Sequence, residues 1–194
     1  MPDALILAAF PAELAGLAEA PPRGWRTGLT GVGGVTAAAR TASLLQELRP
    51  PRVIFLGTCG AYGDLPGLGS CISASEVLGA SAPEILGRAY RPSIETSKWS
   101  PAWEIPLPGC RVVAPPAITA SHEDSVLLAR AGDVEHLELG GVFAACFLAD
   151  VPVAAALSVA NRTGPGAHAE WKANNASASR RLVETLIGLG VFGG

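Results

Sequence analysis

Three polar side chains stand where chemistry could be done: Glu13, Glu138 and Asn161. Asn161 lies in Ser158-Val159-Ala160-Asn161-Arg162-Thr163-Gly164, directly after the apolar run Val151 to Leu157. A polar residue at the end of a buried strand falls where an open α/β sheet presents its ligand crevice, which makes Asn161 a candidate ligand-reading amide. The alternative is a turn cap ahead of Gly164-Pro165-Gly166. Glu138 sits between Leu137 and Leu139, at the front of the apolar run Gly140 to Leu148. A carboxylate buried there is costly unless hydrogen-bonded, and sugar hydroxyls are suitable donors; a solvent-facing helix start is the alternative. Glu13 follows the first apolar run, at a helix start, where a carboxylate is either oriented toward a cleft or a favourable first-turn charge. Asp64 and Glu76 complete the acidic candidates.

Two glycine-rich stretches could bring backbone close to a ligand. Gly31-Val32-Gly33-Gly34 precedes a helix and leaves helix-start N–H groups for an anion or a hydroxyl, or serves turn geometry alone. It lacks the full GxGxxG pattern, and no GxxxxGK[ST] loop occurs, so the glycines support neither a dinucleotide nor a nucleoside triphosphate. Gly57-Thr58-Cys59-Gly60 ends the best central-strand candidate and is expected to line a site, with Thr58 as a donor. Cys59 has no adjacent histidine or base to lower its pKa, so it is discounted as a nucleophile. His122 and His168 form no triad or metal spacing and read as solvated loop residues.

The elements that must position these residues alternate. Ala4 to Ala9, Val53 to Leu56, Cys71 to Val77, Arg111 to Ala114 and Val153 to Val159 read as strands. Ala12 to Glu19, Thr36 to Glu47, Leu137 to Ala149 and Ala176 to Leu189 read as helices. That order predicts a layered α/β domain over residues 1–194. Ser81 to Gly109 breaks the rhythm with five prolines around Trp99 and Trp103 and reads as a long irregular excursion. Its tryptophans are apolar surface that must be covered somewhere, so the stretch packs against the body of the protein, forms an oligomer interface or acts as a substrate lid.

Composition narrows the partners. The 194 residues are 49% hydrophobic and 16% charged, which suits one globular domain. A net charge of -3 without a Lys/Arg cluster gives no footprint for nucleic acid, so a small ligand is expected. The four cysteines, Cys59, Cys71, Cys110 and Cys146, form no CxxC pair and read as free thiols in a reducing compartment, without a metal. Met1-Pro2-Asp3 lacks the positive region of a signal peptide and no apolar run reaches membrane length, so a soluble cytoplasmic protein is expected.

Four stretches together resemble the nucleoside phosphorylase and nucleosidase superfamily. They are Leu5-Ile6-Leu7-Ala8-Ala9-Phe10-Pro11-Ala12-Glu13-Leu14, Gly31 to Ala38, Leu56 to Gly60, and Leu137-Glu138-Leu139-Gly140-Gly141-Val142-Phe143. The resemblance implies a single-domain three-layer α/β/α sandwich on a central mixed sheet, no cofactor, a purine nucleoside as ligand and a homo-oligomer. It implies that Glu13 falls where the hydrolase branch carries a glutamate, and that Glu138 meets the ribose with Leu137 in place of a methionine. His136 stands where the paired-acid segment has its first glutamate. Thr58, Cys59 and Gly60 fall in the ligand-facing central loop. Asn161, where an aspartate accompanies 6-amino purines, points to a 6-oxopurine, and with Trp171 downstream the chain looks most like the futalosine hydrolases, menaquinone-pathway enzymes that release hypoxanthine. In that chemistry Glu13 deprotonates the attacking water and Asn161 hydrogen-bonds the leaving base. A purine nucleoside phosphorylase and a catalytically silent nucleoside-binding relative remain the alternatives.

Overall fold

The computed structural model describes residues 3–193; Met1 and Pro2, part of the stretch read above for a leader, and Gly194 lie outside them. Ala4–Ala8 is a wholly buried strand, β1, as its unbroken apolar sequence predicts. β2 (Trp25–Leu29) runs parallel to it at the sheet edge, and its mixed sequence gave no periodicity to read. β3 (Val53–Ala61) does not stop at Gly57 but continues through Gly57-Thr58-Cys59-Gly60. Those glycines mark close approach within a strand rather than a loop: a Cβ at Gly57 would meet Nε2 of His136 at 2.6 Å.

The remaining elements are α1 (Gly34–Leu48), β4 (Cys71–Leu78), α2 (Ala82–Ile85), β5 (Lys98–Trp99), β6 (Gly109–Val113), α3 (His122–Leu128), β7 (Val134–Glu135), α4 (Leu139–Leu148), β8 (Val153–Arg162) and α5 (Ala167–Gly188). The helix expected from Ala12 to Glu19 is instead a single 3-10 turn, Pro11–Leu14. Ala15 (φ 44°) and Gly16 (φ 95°) are left-handed and cannot propagate a helix. α5 opens at Ala167 rather than Ala176, because Gly166 (φ 85°) ends the preceding turn and the polar first half of the helix lacks an apolar stripe. His122 and His168 both lie in helices, not loops.

The sheet is mixed, and helices cover both faces. Alternate residues of β1, β3 and β8 point to opposite sides. Leu5, Leu7, Phe55, Ala155 and Leu157 join α1 and α4 in one core, while Ile6, Ile54, Leu56, Ala154 and Ala156 join α5 in the other. Trp99 packs on the first core and Trp103 on the second, so the body of the protein covers part of each tryptophan of the irregular excursion and leaves both half-buried. Among the described residues, no helix is long and apolar enough to cross a membrane.

Part of the sheet closes on itself. β3 pairs with β8, β8 with β4, β4 with β6, β6 with β7, and β7 returns to the end of β3. The closure falls at Gly60, which faces Glu135 on β7 and Asn161 on β8, just after a register shift between Cys59 and Gly60. This curl carries polar side chains from three strands to one end of the sheet.

On the opposite side of the site, α1 and α4 cross at van der Waals contact of their backbones. A Cβ at Gly141 would overlap the carbonyl oxygen of Gly34 and lie 3.0 Å from the Ala38 nitrogen. Gly141→Ala is therefore expected to destabilise by about 1–3 kcal/mol, the cost of forcing extra volume into a packed contact. Gly188→Ala, at the open end of α5 with nothing within 4 Å, is expected to stabilise by about 0.4–1 kcal/mol. Urea denaturation of the two variants measures both signs.

Candidate functional site

At the curled end of the sheet lies a cavity of about 380 Å³, within the range of small-molecule sites. The 3-10 turn after β1 supplies Glu13, the end of β3 supplies Thr58 and Gly60, and the segment between β7 and α4 supplies His136, Leu137 and Glu138. The end of β8 supplies Asn161, and α5 supplies His168 and Trp171. Five of the sequence-predicted residues that line it, Glu13, Thr58, Gly60, Glu138 and Asn161, are separated widely in sequence and converge only through the sheet. Leu137 lines it as well.

Cys59 is not brought there. The period-two alternation that turns Thr58 and Gly60 toward the cavity turns Cys59 into the core with α1 and α4, where burial pushes its thiol well above the usual range. Asp64 and Glu76 are also remote from the cavity, in partly or fully exposed ion pairs with Arg162 and Lys98.

Glu13 is almost wholly buried, and its carboxylate is held by three donors. Oε1 accepts from the Thr58 N–H at 2.8 Å and the Thr58 hydroxyl at 2.9 Å, and Oε2 accepts from the Ala9 N–H at 3.2 Å. Trp171 Nε1–H donates in turn to the Thr58 hydroxyl oxygen at 3.1 Å. Burial raises the Glu13 pKa, the Thr58 and Ala9 donors oppose the rise, and the nearby Glu138 charge adds to it, for a value of about 7. This carboxyl exchanges its proton near neutrality.

Glu138 accepts from the Gly33 N–H through Oε1 at 2.7 Å, and its Oε2 lies 3.2 Å from Nδ1 of His136. Burial lowers the His136 pKa and favours the neutral ring. Nδ1 of the neutral ring accepts the Glu138 N–H at 3.3 Å, which fixes the ring beside the carboxylate. The Gly33 amide, read above as free for an external anion, is thus taken by the protein's own carboxylate. No lysine or arginine appears among the described residues that line the cavity, nor do three His, Cys, Asp or Glu side chains cluster as a metal group among the described residues.

Asn161 is buried and donates from Nδ2 to the Arg162 carbonyl at 2.9 Å, which leaves its Oδ1 and second N–H to a ligand. His168 stacks on Trp171 with ring centroids 5.8 Å apart and planes 13° apart, and Phe10 meets Trp171 edge-on at 5.8 Å. The stacking of this wall and the buried Glu135 escaped sequence reasoning, which named Trp171 only through the resemblance and read His168 as a solvated loop residue. His168 and Trp171 sit at helical i, i+3 spacing, a signal hidden once the start of α5 is misplaced. Glu135 had no signal of its own, since β7 has only two residues.

No family model and no curated protein matches the sequence. Solved structures do match in fold. The 5'-methylthioadenosine/S-adenosylhomocysteine nucleosidase of Helicobacter pylori superposes with a TM-score of 0.84 at 13% identity, over 97% of each chain. A mutant futalosine hydrolase of H. pylori strain 26695 superposes with a TM-score of 0.84 at 15% identity, over 97% of this chain and 98% of that one. The 5'-methylthioadenosine/S-adenosylhomocysteine nucleosidase of Streptococcus pneumoniae gives 0.80 at 15% identity, over 96% and 97%. The chain therefore has the fold of these nucleosidases.

Because the Thr58 hydroxyl favours the ionised form of Glu13, Thr58→Val is expected to raise the Glu13 pKa above its value of about 7. Carbon-13 NMR of the side-chain carboxyl reads the shift directly. The folded pKa stands above the unfolded value, so the protonated acid stabilises the fold at low pH. That contribution is fully present below pH ~4.5 and is lost as pH rises through about 7.

Proposed function

We propose that the protein is an N-ribosyl hydrolase that cleaves the glycosidic bond of a 6-oxopurine nucleoside, with futalosine as the specific candidate and hypoxanthine as the released base. The observation that carries this reading is the convergence, in one cavity without a lysine or arginine among its described lining residues, of a carboxyl poised near neutrality, a second carboxylate and an amide.

Each group has a distinct task. Glu13, in its ionised form, orients a water and takes its proton as oxygen bonds to C1' of the sugar. Glu138 accepts hydrogen bonds from ribose hydroxyls with the lone pairs that Gly33 leaves free. The bond between C1' and the base breaks with its electrons moving to the base, through an oxocarbenium-like sugar. The free N–H of Asn161 hydrogen-bonds the acceptor edge of the leaving base at N7 or O6 as negative charge collects there. An amide is no acid, so the departing base is stabilised by hydrogen bonding rather than by proton transfer from Asn161. Water is favoured over phosphate as the nucleophile because the glycine turn spends the Gly33 N–H on Glu138 and three carboxylates, Glu13, Glu135 and Glu138, line the cavity. An incoming anion would be repelled.

Product analysis with inosine, futalosine and adenosine, with and without phosphate, tests the reading. Free hypoxanthine and free ribosyl product at a rate independent of phosphate are expected, whereas ribose 1-phosphate would establish phosphorolysis and no base release would establish a binding protein. Glu13→Gln is expected to lower kcat by about 10²–10⁴-fold, the usual scale for a lost general base, with a smaller change in KM. In the parent protein kcat/KM should fall as pH drops below about 7, because protonated Glu13 cannot accept the water proton.

Asn161→Asp is expected to lower cleavage of inosine relative to adenosine, since a carboxylate offers only acceptors to a base edge that presents one. The ratio of the two specificity constants at several pH values measures the effect. An unchanged ratio would remove Asn161 from base recognition.

A further inference from the structure

We propose that Glu135 reads the base: its carboxylate accepts the N1–H of a 6-oxopurine whose O6/N7 edge is held by Asn161. This rests on the nucleoside-cleaving reading above and names the group that selects the substrate class at the same site.

The placement follows from strand register. Gly60 of β3 pairs with Glu135 of β7 on one flank and with Asn161 of β8 on the other, so the three form one row across the sheet. Residues in a cross-strand row share a face. Gly60 has no side chain, and a Cβ built on it would lie 2.9 Å from Nδ2 of Asn161, 3.1 Å from Cγ2 of Thr163 and 3.5 Å from Cγ of Glu135. The Asn161 and Glu135 side chains thus close over Gly60 and stand side by side, and all three residues line the cavity. A flat heteroaromatic ring resting in the cavity against this row would meet one polar group from each flanking strand.

The hydrogen bonds define what Glu135 has left to offer. Its Oε2 accepts from the Thr119 hydroxyl at 2.5 Å and the Tyr62 hydroxyl at 3.1 Å, and its Oε1 accepts from the Thr119 N–H at 3.2 Å. Oε2 is saturated, while Oε1 keeps one lone pair unused. Burial pushes the Glu135 pKa up, and the Thr119 and Tyr62 donors counter it by holding the ionised form. A remaining acceptor at a buried cavity wall calls for a ring N–H. A 6-oxopurine carries one at N1, whereas a 6-aminopurine presents a lone pair there, which the carboxylate repels. Asn161 alone cannot separate the two bases so sharply, because an amide presents both a donor and an acceptor.

The experiment compares parent and Glu135→Gln proteins with inosine, adenosine and 1-methylinosine, which lacks the N1–H, with thermal melting recorded alongside. The parent should favour inosine over both other nucleosides. In Glu135→Gln, whose amide can turn a donor to the base, the inosine-to-adenosine ratio of kcat/KM should fall by about ten- to a hundred-fold, the scale of a lost hydrogen bond to a charged group. The penalty for 1-methylation should shrink with it. A residue that only clamps Thr119 would lower the melting temperature and leave both ratios intact, and that result overturns the proposal. If the parent prefers neither inosine nor adenosine, the 6-oxopurine reading of the site falls and this one with it. If the parent prefers inosine but the variant keeps the ratio, this inference alone falls. Should Glu135→Gln fail to fold, the parent decides: equal kcat/KM for inosine and 1-methylinosine overturns the assignment, and a loss of tenfold or more sustains it.

Discussion

The organisation of the site depends on one strand serving three partners. Within nine residues, β3 bonds to β1, β8 and β7, and every one of those residues is buried. A strand so placed has no freedom to shift register, because a one-residue slip would reverse every side chain between the two cores. Thr58 and Gly60 inherit that rigidity. Thr58 spends its N–H and its hydroxyl on Glu13, and the Asn161 and Glu135 side chains close over Gly60. The acidic turn after β1 and the amide at the end of β8 are therefore set by the same main-chain ladder that holds the core together.

Among the described residues that line the cavity, carboxylates dominate the electrostatics and no lysine or arginine stands with them. Glu13, Glu135 and Glu138 each lose water on burial, and each is supported by neutral donors, backbone N–H groups and hydroxyls. Neutral donors stabilise negative charge without cancelling it. The cavity consequently keeps a negative field that disfavours an anionic ligand.

Much of this arrangement was legible in the sequence wherever a residue's type conflicted with its surroundings. Glu138 among leucines and Asn161 after an apolar run stood out because burial of a polar group demands a partner. Glu13 was legible as a position, but the helix expected to carry it shrank to a single turn, since Ala15 adopts a left-handed conformation that alanine composition does not announce. Gly57 and Gly60 pointed to a loop because glycine ends most strands; here neighbouring side chains occupy the volume a Cβ would need, and that is a tertiary fact. Glu135 and the His168–Trp171 stack were hidden for the same reason. A two-residue strand has no periodicity, and a helix whose polar face is long hides its own beginning.

The contact between Gly141 and Gly34 ties together two parts of the molecule that are distant in sequence. Glu138 precedes α4, and its partner Gly33 precedes α1, so the spacing of two helix backbones sets the position of the Glu138 carboxylate. That spacing is gauged by main-chain atoms rather than by adjustable side chains. Sequence drift on the outer faces of the two helices can proceed without retuning this wall, and diversification of the ligand would have to come through side chains elsewhere in the lining, such as Ile118, His168 and Trp171. The pocket thus has one wall with fixed dimensions and one open to evolution.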